Sequence, residues 1–123
     1  MLKIVVGGQI YKAEIAKLIE KLAPNKFEIS VKNDLDAAMD LKNSAVDYYI
    51  GACNTGGGGA LAMALALAGA DKCATISMPG NILSDEKIIA EVEKGKKAFG
   101  FTGSDYEKVV PILIGAIIKK IEG

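Results

Sequence analysis

Cys53, Asn54 and Thr55 stand directly before four consecutive glycines, Gly56, Gly57, Gly58 and Gly59. A thiol, an amide and a hydroxyl followed by bare backbone can cradle an anion, or steady a developing oxyanion through N–H groups. Tyr48, Tyr49 and Ile50, just upstream, read as a buried strand. Downstream, from Ala60 as far as Ala70, alanine, leucine and methionine predominate, which predicts a helix with no breaker before Gly69. A strand that turns through glycines into a helix leaves unpaired N–H groups at the helix start, beside the strand's carboxyl end. There the partial positive charge of the helix favours a thiolate, so Cys53 is the candidate catalytic residue and is expected to alkylate ahead of Cys73.

Asn54, Thr55, Gly56, Gly57 and Gly58 are the matching candidates for ligand binding. Each glycine forgoes about 0.5–1 kcal/mol against alanine in a regular element, a loss that an anion needing bare backbone would offset. The spacing is not that of a Walker loop, because no lysine and Ser/Thr follow the glycines. Nor is it a dinucleotide fingerprint, which needs an acidic strand end about 20 residues further on.

Absences narrow the chemistry further. The 123 residues contain no histidine, arginine or tryptophan. Ser-His-Asp and Cys-His catalysis and His-ligated zinc are therefore excluded. Only lysines and backbone N–H groups remain to hold a phosphate or carboxylate. Lysine plus arginine and aspartate plus glutamate balance at 15 each, so no basic surface points to nucleic acid or acidic lipid. The longest apolar run falls short of the roughly 20 residues of a membrane span. Reduced thiols and the lack of a signal-peptide pattern predict a cytoplasmic protein.

The remaining chain supplies the elements that must position these residues. Leu2, Lys3, Ile4, Val5 and Val6 form a first strand ending in Gly7 and Gly8. Ile10, Ile15, Leu18, Ile19 and Leu22 recur at helical spacing up to Pro24. Phe27, Ile29 and Val31 alternate with polar residues as in an edge strand, and Asp34 opens a second helix. A fourth strand runs from Cys73 to Met78 and stops at Pro79 and Gly80. A helix led by Ser84 follows, then a fifth strand from Ala98 to Thr102 interrupted by Gly100, then a helix to the terminus.

Strand and helix alternate throughout. That pattern predicts one α/β domain: a three-layer αβα sandwich on a parallel five-stranded sheet, Rossmann-like or flavodoxin-like. With strand two alternating and strand five carrying a glycine, the expected order is 2-1-3-4-5. Its switch point lies between strands one and three, where Gly7, Gly8 and Gln9 would face Cys53 across a crevice. Gln9, Pro79 and Gly80 join the candidate ligand set on this ground. Two helices, from Ala60 to Ala68 and from Val109 to Ile118, are apolar on every side, which predicts a homo-oligomer, most simply a dimer, through one or both.

At Gly7-Gly8-Gln9-Ile10 and through Asp47-Tyr48-Tyr49-Ile50-Gly51-Ala52-Cys53-Asn54-Thr55-Gly56 the chain resembles the YhfU-like proteins of bacteria. The resemblance extends over essentially the whole length, including Lys97-Ala98-Phe99-Gly100, and implies a place in small-molecule metabolism. Cys53-Asn54-Thr55-Gly56-Gly57-Gly58 is also similar, more loosely, to the Cys-Gly-Thr-Gly-x-Gly stretch of the ribose-5-phosphate isomerase B and galactose-6-phosphate isomerase group. That likeness implies Cys53 as the proton-moving base and Gly56, Gly57 and Gly58 as oxyanion donors. The group's Asp-His at the first strand end is Gly7-Gly8 here, and its histidine and arginines have no counterpart. Three functions follow as expectations: binding of a small phosphorylated or carboxylate metabolite, isomerase-like chemistry through Cys53, or a non-catalytic subunit docking a partner enzyme. No cofactor is assigned by the sequence.

Overall fold

The computed structural model describes residues 1–55 and 57–123. In chain order the elements are β1 (Leu2–Gly8), α1 (Lys12–Leu22), β2 (Phe27–Val31), α2 (Asp34–Lys42) and β3 (Tyr48–Cys53). Two short helices follow, α3 (Gly57–Ala60) and α4 (Ala62–Ala68), and then β4 (Cys73–Thr75). A hairpin of β5 (Ser77–Met78) and β6 (Asn81–Ile82), α5 (Asp85–Glu93), β7 (Ala98–Thr102) and α6 (Tyr106–Glu122) complete the chain.

The parallel five-stranded sheet has the order β2-β1-β3-β7-β4. The α/β class and the layering agree with the sequence. The order does not: the strand Ala98–Thr102, expected at an edge, lies between β3 and β4. Burial explains the exchange. All five residues of β7 are buried, whereas β4 is three residues long and ends in exposed Thr75, a short strand suited to an edge. Gly100, which suggested an edge, is paired with Gly51 on one side and Thr75 on the other. By alternation with Ala98 it faces the side of the sheet on which α3 packs against both β3 and β7, where a glycine permits close helix approach.

Strand alternation sorts the core into two layers. Ile4, Val6, Tyr48, Ile50, Phe99 and Phe101 point to the face covered by α1, α5 and α6. Val5, Tyr49 and Ala98 point to the other, covered by α2 and by Leu61 and Ala64. The two helices read as too apolar behave differently. On α6, Val109, Val110, Leu113, Ile114 and Ile117 are buried in the chain's own core. Its greasiness is therefore spent on the sheet, and Ile114→Lys would break the fold rather than an interface. On α4 only Ala64 is buried, while Ala62, Met63, Leu65 and Ala66 share one exposed side. Among the described residues, no helix is long and apolar enough to cross a membrane.

Candidate functional site

The helix after β1 and the helices after β3 leave on opposite faces of the sheet, which makes the β1/β3 boundary a topological switch point. Gly8 pairs with Ala52, and the Gln9 amide donates to the Ala52 carbonyl at 2.8 Å. The turn of Gly7, Gly8 and Gln9 thereby meets the turn of Cys53, Asn54 and Thr55. Gln9, Asn54 and Thr55 are exposed, and Gly57 and Gly58 open α3. Gly56 lies outside the described residues. Pro79 and Gly80 form the exposed tip of the β5–β6 hairpin, whose Ser77 hydroxyl accepts the Thr102 amide at 2.9 Å at the end of β7.

Close packing accounts for part of the glycine content. A Cβ on Gly7 would come within 2.6 Å of the Tyr49 ring and 2.8 Å of Ala37 Cβ. Gly8 has a φ of +75°, and a Cβ there would lie 2.6 Å from the Ala52 nitrogen. Gly59 has Cys53 beneath it, with 2.9 Å between an added Cβ and Sγ.

Cys53 is only 1 % exposed, with Sγ 3.4 Å from Thr55 Oγ1. The helix after it is four residues long, too short to build the macrodipole expected of a long helix. Cys73, at the opposite end of the sheet, is 8 % exposed, and burial pushes its thiol pKa up, with Lys96 opposing and Asp71 adding to the rise. Cys53 therefore has no advantage of exposure over Cys73 from which to infer faster alkylation.

Three residues outside the expected set of site residues complete the neighbourhood. The Tyr49 hydroxyl accepts from the Gly8 amide at 3.0 Å and has two acceptors within reach of its one proton, the Asp34 carboxylate and the Ala60 carbonyl, the latter at 2.8 Å. One buried phenol thus ties β1, the start of α2 and the end of α3 together. Burial, reinforced by the hydrogen bond to Asp34, pushes the Tyr49 phenol pKa far above its usual value. Thr102 is the register partner of Cys53, so its side chain lies on the same face. Its Oγ1 is buried with no hydrogen-bond partner among the described residues, an arrangement that costs about 1–3 kcal/mol. The available signals were slight: a polar residue closing an apolar strand for Thr102, a tyrosine on the α2 side of β3 for Tyr49, and the first acid of a helix for Asp34.

A concavity of about 320 Å³ lies at the amino-terminal ends of β3, β4 and β7. Its lining includes Leu41, Lys42, Val46, Asp47, Leu67 and Lys72.

The sequence profile of the family described as protein of unknown function DUF2620 matches residues 2–117. The chain belongs to this family. It is 46% identical over 114 residues to the protein called "Uncharacterized protein YhfU" in Escherichia coli K12, covering 93% of this chain and 97% of that one. The protein of the same name in Shigella flexneri matches with the same identity and coverage. No solved structure matches the chain.

Proposed function

We propose that this protein binds a small anionic metabolite, phosphorylated or carboxylate, at the carboxyl ends of β1, β3 and β7. The observation that carries the reading is the meeting of two glycine-bearing turns at the switch point of a doubly wound sheet, where such folds seat their ligands. The Thr102 hydroxyl, beside Cys53 and buried without a hydrogen-bond partner among the described residues, adds a polar group that a ligand could satisfy. Packing demands glycine at positions 7, 8 and 59, and Gly57 and Gly58, at the start of α3, are the backbone proposed to meet an anion. The isomerase-like alternative, with Cys53 as base, requires α3 to move, because the thiol is covered. Gly57→Val is expected to abolish anion binding while the fold is kept. A thermal-shift series with inorganic phosphate, glycerol 3-phosphate and citrate reads this directly, since a ligand at 100 times its Kd stabilises by about 2.7 kcal/mol. If none of the three raises the wild-type melting temperature, the proposal falls.

A second reading concerns assembly, and the exposed side of α4 favours it. Ala62, Met63, Leu65 and Ala66 are all apolar, and Leu35 and Met39 of the adjoining α2 are exposed as well. Apolar burial gains about 25 cal/mol per Å². We infer a twofold dimer through this face, in preference to a partner enzyme, because the chain's charges balance and give no bias toward an unlike partner. The double substitution Met63→Lys with Leu65→Lys should yield folded monomers by light scattering. A wild type that is strictly monomeric at micromolar concentration would remove the dimer.

A further inference from the structure

The concavity at the amino-terminal end of the sheet is the feature that the proposed function leaves unused. It is built from three separate stretches of the chain: Leu41 to Asp47, from the end of α2 to the start of β3; Leu67 to Lys72, from the end of α4 to the start of β4; and Lys97 before β7. Its volume of about 320 Å³ is at the small end of the range for pockets that hold organic ligands.

The lining has two characters. Leu41, Val46, Leu67 and Ala68 give an apolar wall, with Leu41 nearly buried and the other three half-buried. Lys42, Lys72 and Lys97 supply three cations against one carboxylate, Asp47. That carboxylate is already engaged, for Oδ2 accepts the Lys3 amide at 2.8 Å. Lys97 is engaged too, its ammonium lying 4.7 Å from the centre of the Tyr48 ring. Lys42 and Lys72 take part in no ion pair among the described residues, whereas Lys3, Lys26, Lys32 and Lys94 each have a carboxylate partner. Lys42 also offsets the negative end of α2, but Lys72 belongs to no long helix and has no such duty.

We propose that this pocket is a second binding site, for a small organic anion with an apolar body: a carboxylate or phosphate monoester head held by Lys42 and Lys72, its hydrocarbon or aromatic part against Leu41, Val46 and Leu67. The charge excess and the apolar wall select this class together. A bare inorganic anion would leave the wall wet, and a neutral apolar molecule would leave the lysines without a partner. The site is independent of the switch point, because the two lie at opposite ends of the same strands.

The test is a titration of the full-length protein with hexanoate and with phenyl phosphate, followed by amide chemical shifts. The two arms separate a carboxylate head from a phosphate head. Shifts concentrated at residues 41–47, 67–72 and 96–97 are expected for at least one probe, with affinity falling as salt rises. Lys42→Gln with Lys72→Gln should weaken that binding at least tenfold without lowering the melting temperature, because both side chains are exposed. Leu67→Trp, which fills the pocket and keeps both lysines, should weaken it as well. The assignment is overturned if neither probe shifts these residues, if the shifts fall at residues 7–9 and 53–59 instead, or if the double variant binds like wild type. Only shifts at residues 7–9 and 53–59 bear on the switch-point site, so the two proposals fail separately.

Discussion

Gly8→Ala is expected to destabilise the protein by about 2–5 kcal/mol, from left-handed backbone strain and steric overlap combined. The residue ends β1 with a φ of +75°, which alanine adopts only at a cost. The added methyl would also stand 2.6 Å from the nitrogen and 2.7 Å from the oxygen of Ala52, both backbone atoms of the neighbouring strand. Neither can withdraw without opening the pairing of β1 with β3 at the point where Gln9 bonds to Ala52. Urea denaturation should show a lower midpoint with an unchanged slope, the mark of lost stability within a two-state transition. A midpoint equal to wild type would show that this close approach is absent in solution.

Tyr49→Phe removes one oxygen and is expected to cost about 2–4 kcal/mol, because it strands buried partners instead of deleting them. The Gly8 amide loses its 3.0 Å acceptor, and the Ala60 carbonyl loses a 2.8 Å donor. Asp34 Oδ1 remains 3.4 Å from the Gly8 amide, a long contact that compensates only in part. The same phenol gives a pH signature. Its folded-state pKa is raised above the ordinary 10.0, so above about pH 10 the unfolded chain releases a proton that the folded chain keeps. Wild-type stability from Tyr49 is therefore complete below pH 10 and declines as pH rises beyond it. The variant should lack that part of the alkaline decline. Identical slopes of stability against pH from 9.5 to 11 would show that Tyr49 is not held in this way.

Both substitutions act on the same joint. Ala60, at the end of α3, is fastened through Tyr49 to Gly8 and Asp34, and α3 lies over Cys53 through Gly59. The Cys53 thiol thus lies beneath a four-residue helix that the Tyr49 phenol ties to β1 and α2. Loosening the joint by Tyr49→Phe would expose the thiol.

The α/β class, the alternation of strands and helices, and the placing of the glycine turns at the β1/β3 boundary were legible in the sequence. The cause is local: continuous apolar runs, helical periodicity and Gly or Pro punctuation are set by near neighbours. The register of Gly8 against Ala52 and the unpartnered Thr102 were not legible, because each depends on which strand lies next to which. The order of the last two strands turned on the same point. A glycine in a strand signals either an edge or a close approach, and only the helix packed above Gly100 shows which applies. The fate of the apolar helices was likewise a tertiary matter. Composition shows that α4 and α6 are both greasy, but α6 spends its side chains on the sheet while the shorter α4 buries Ala64, half-buries Leu67 and Ala68, and leaves Ala62, Met63, Leu65 and Ala66 outside. The lysine-lined pocket at the other end of the strands had no signal at all. Its residues come from three distant parts of the chain, and only the folding of the helices against one sheet brings them together.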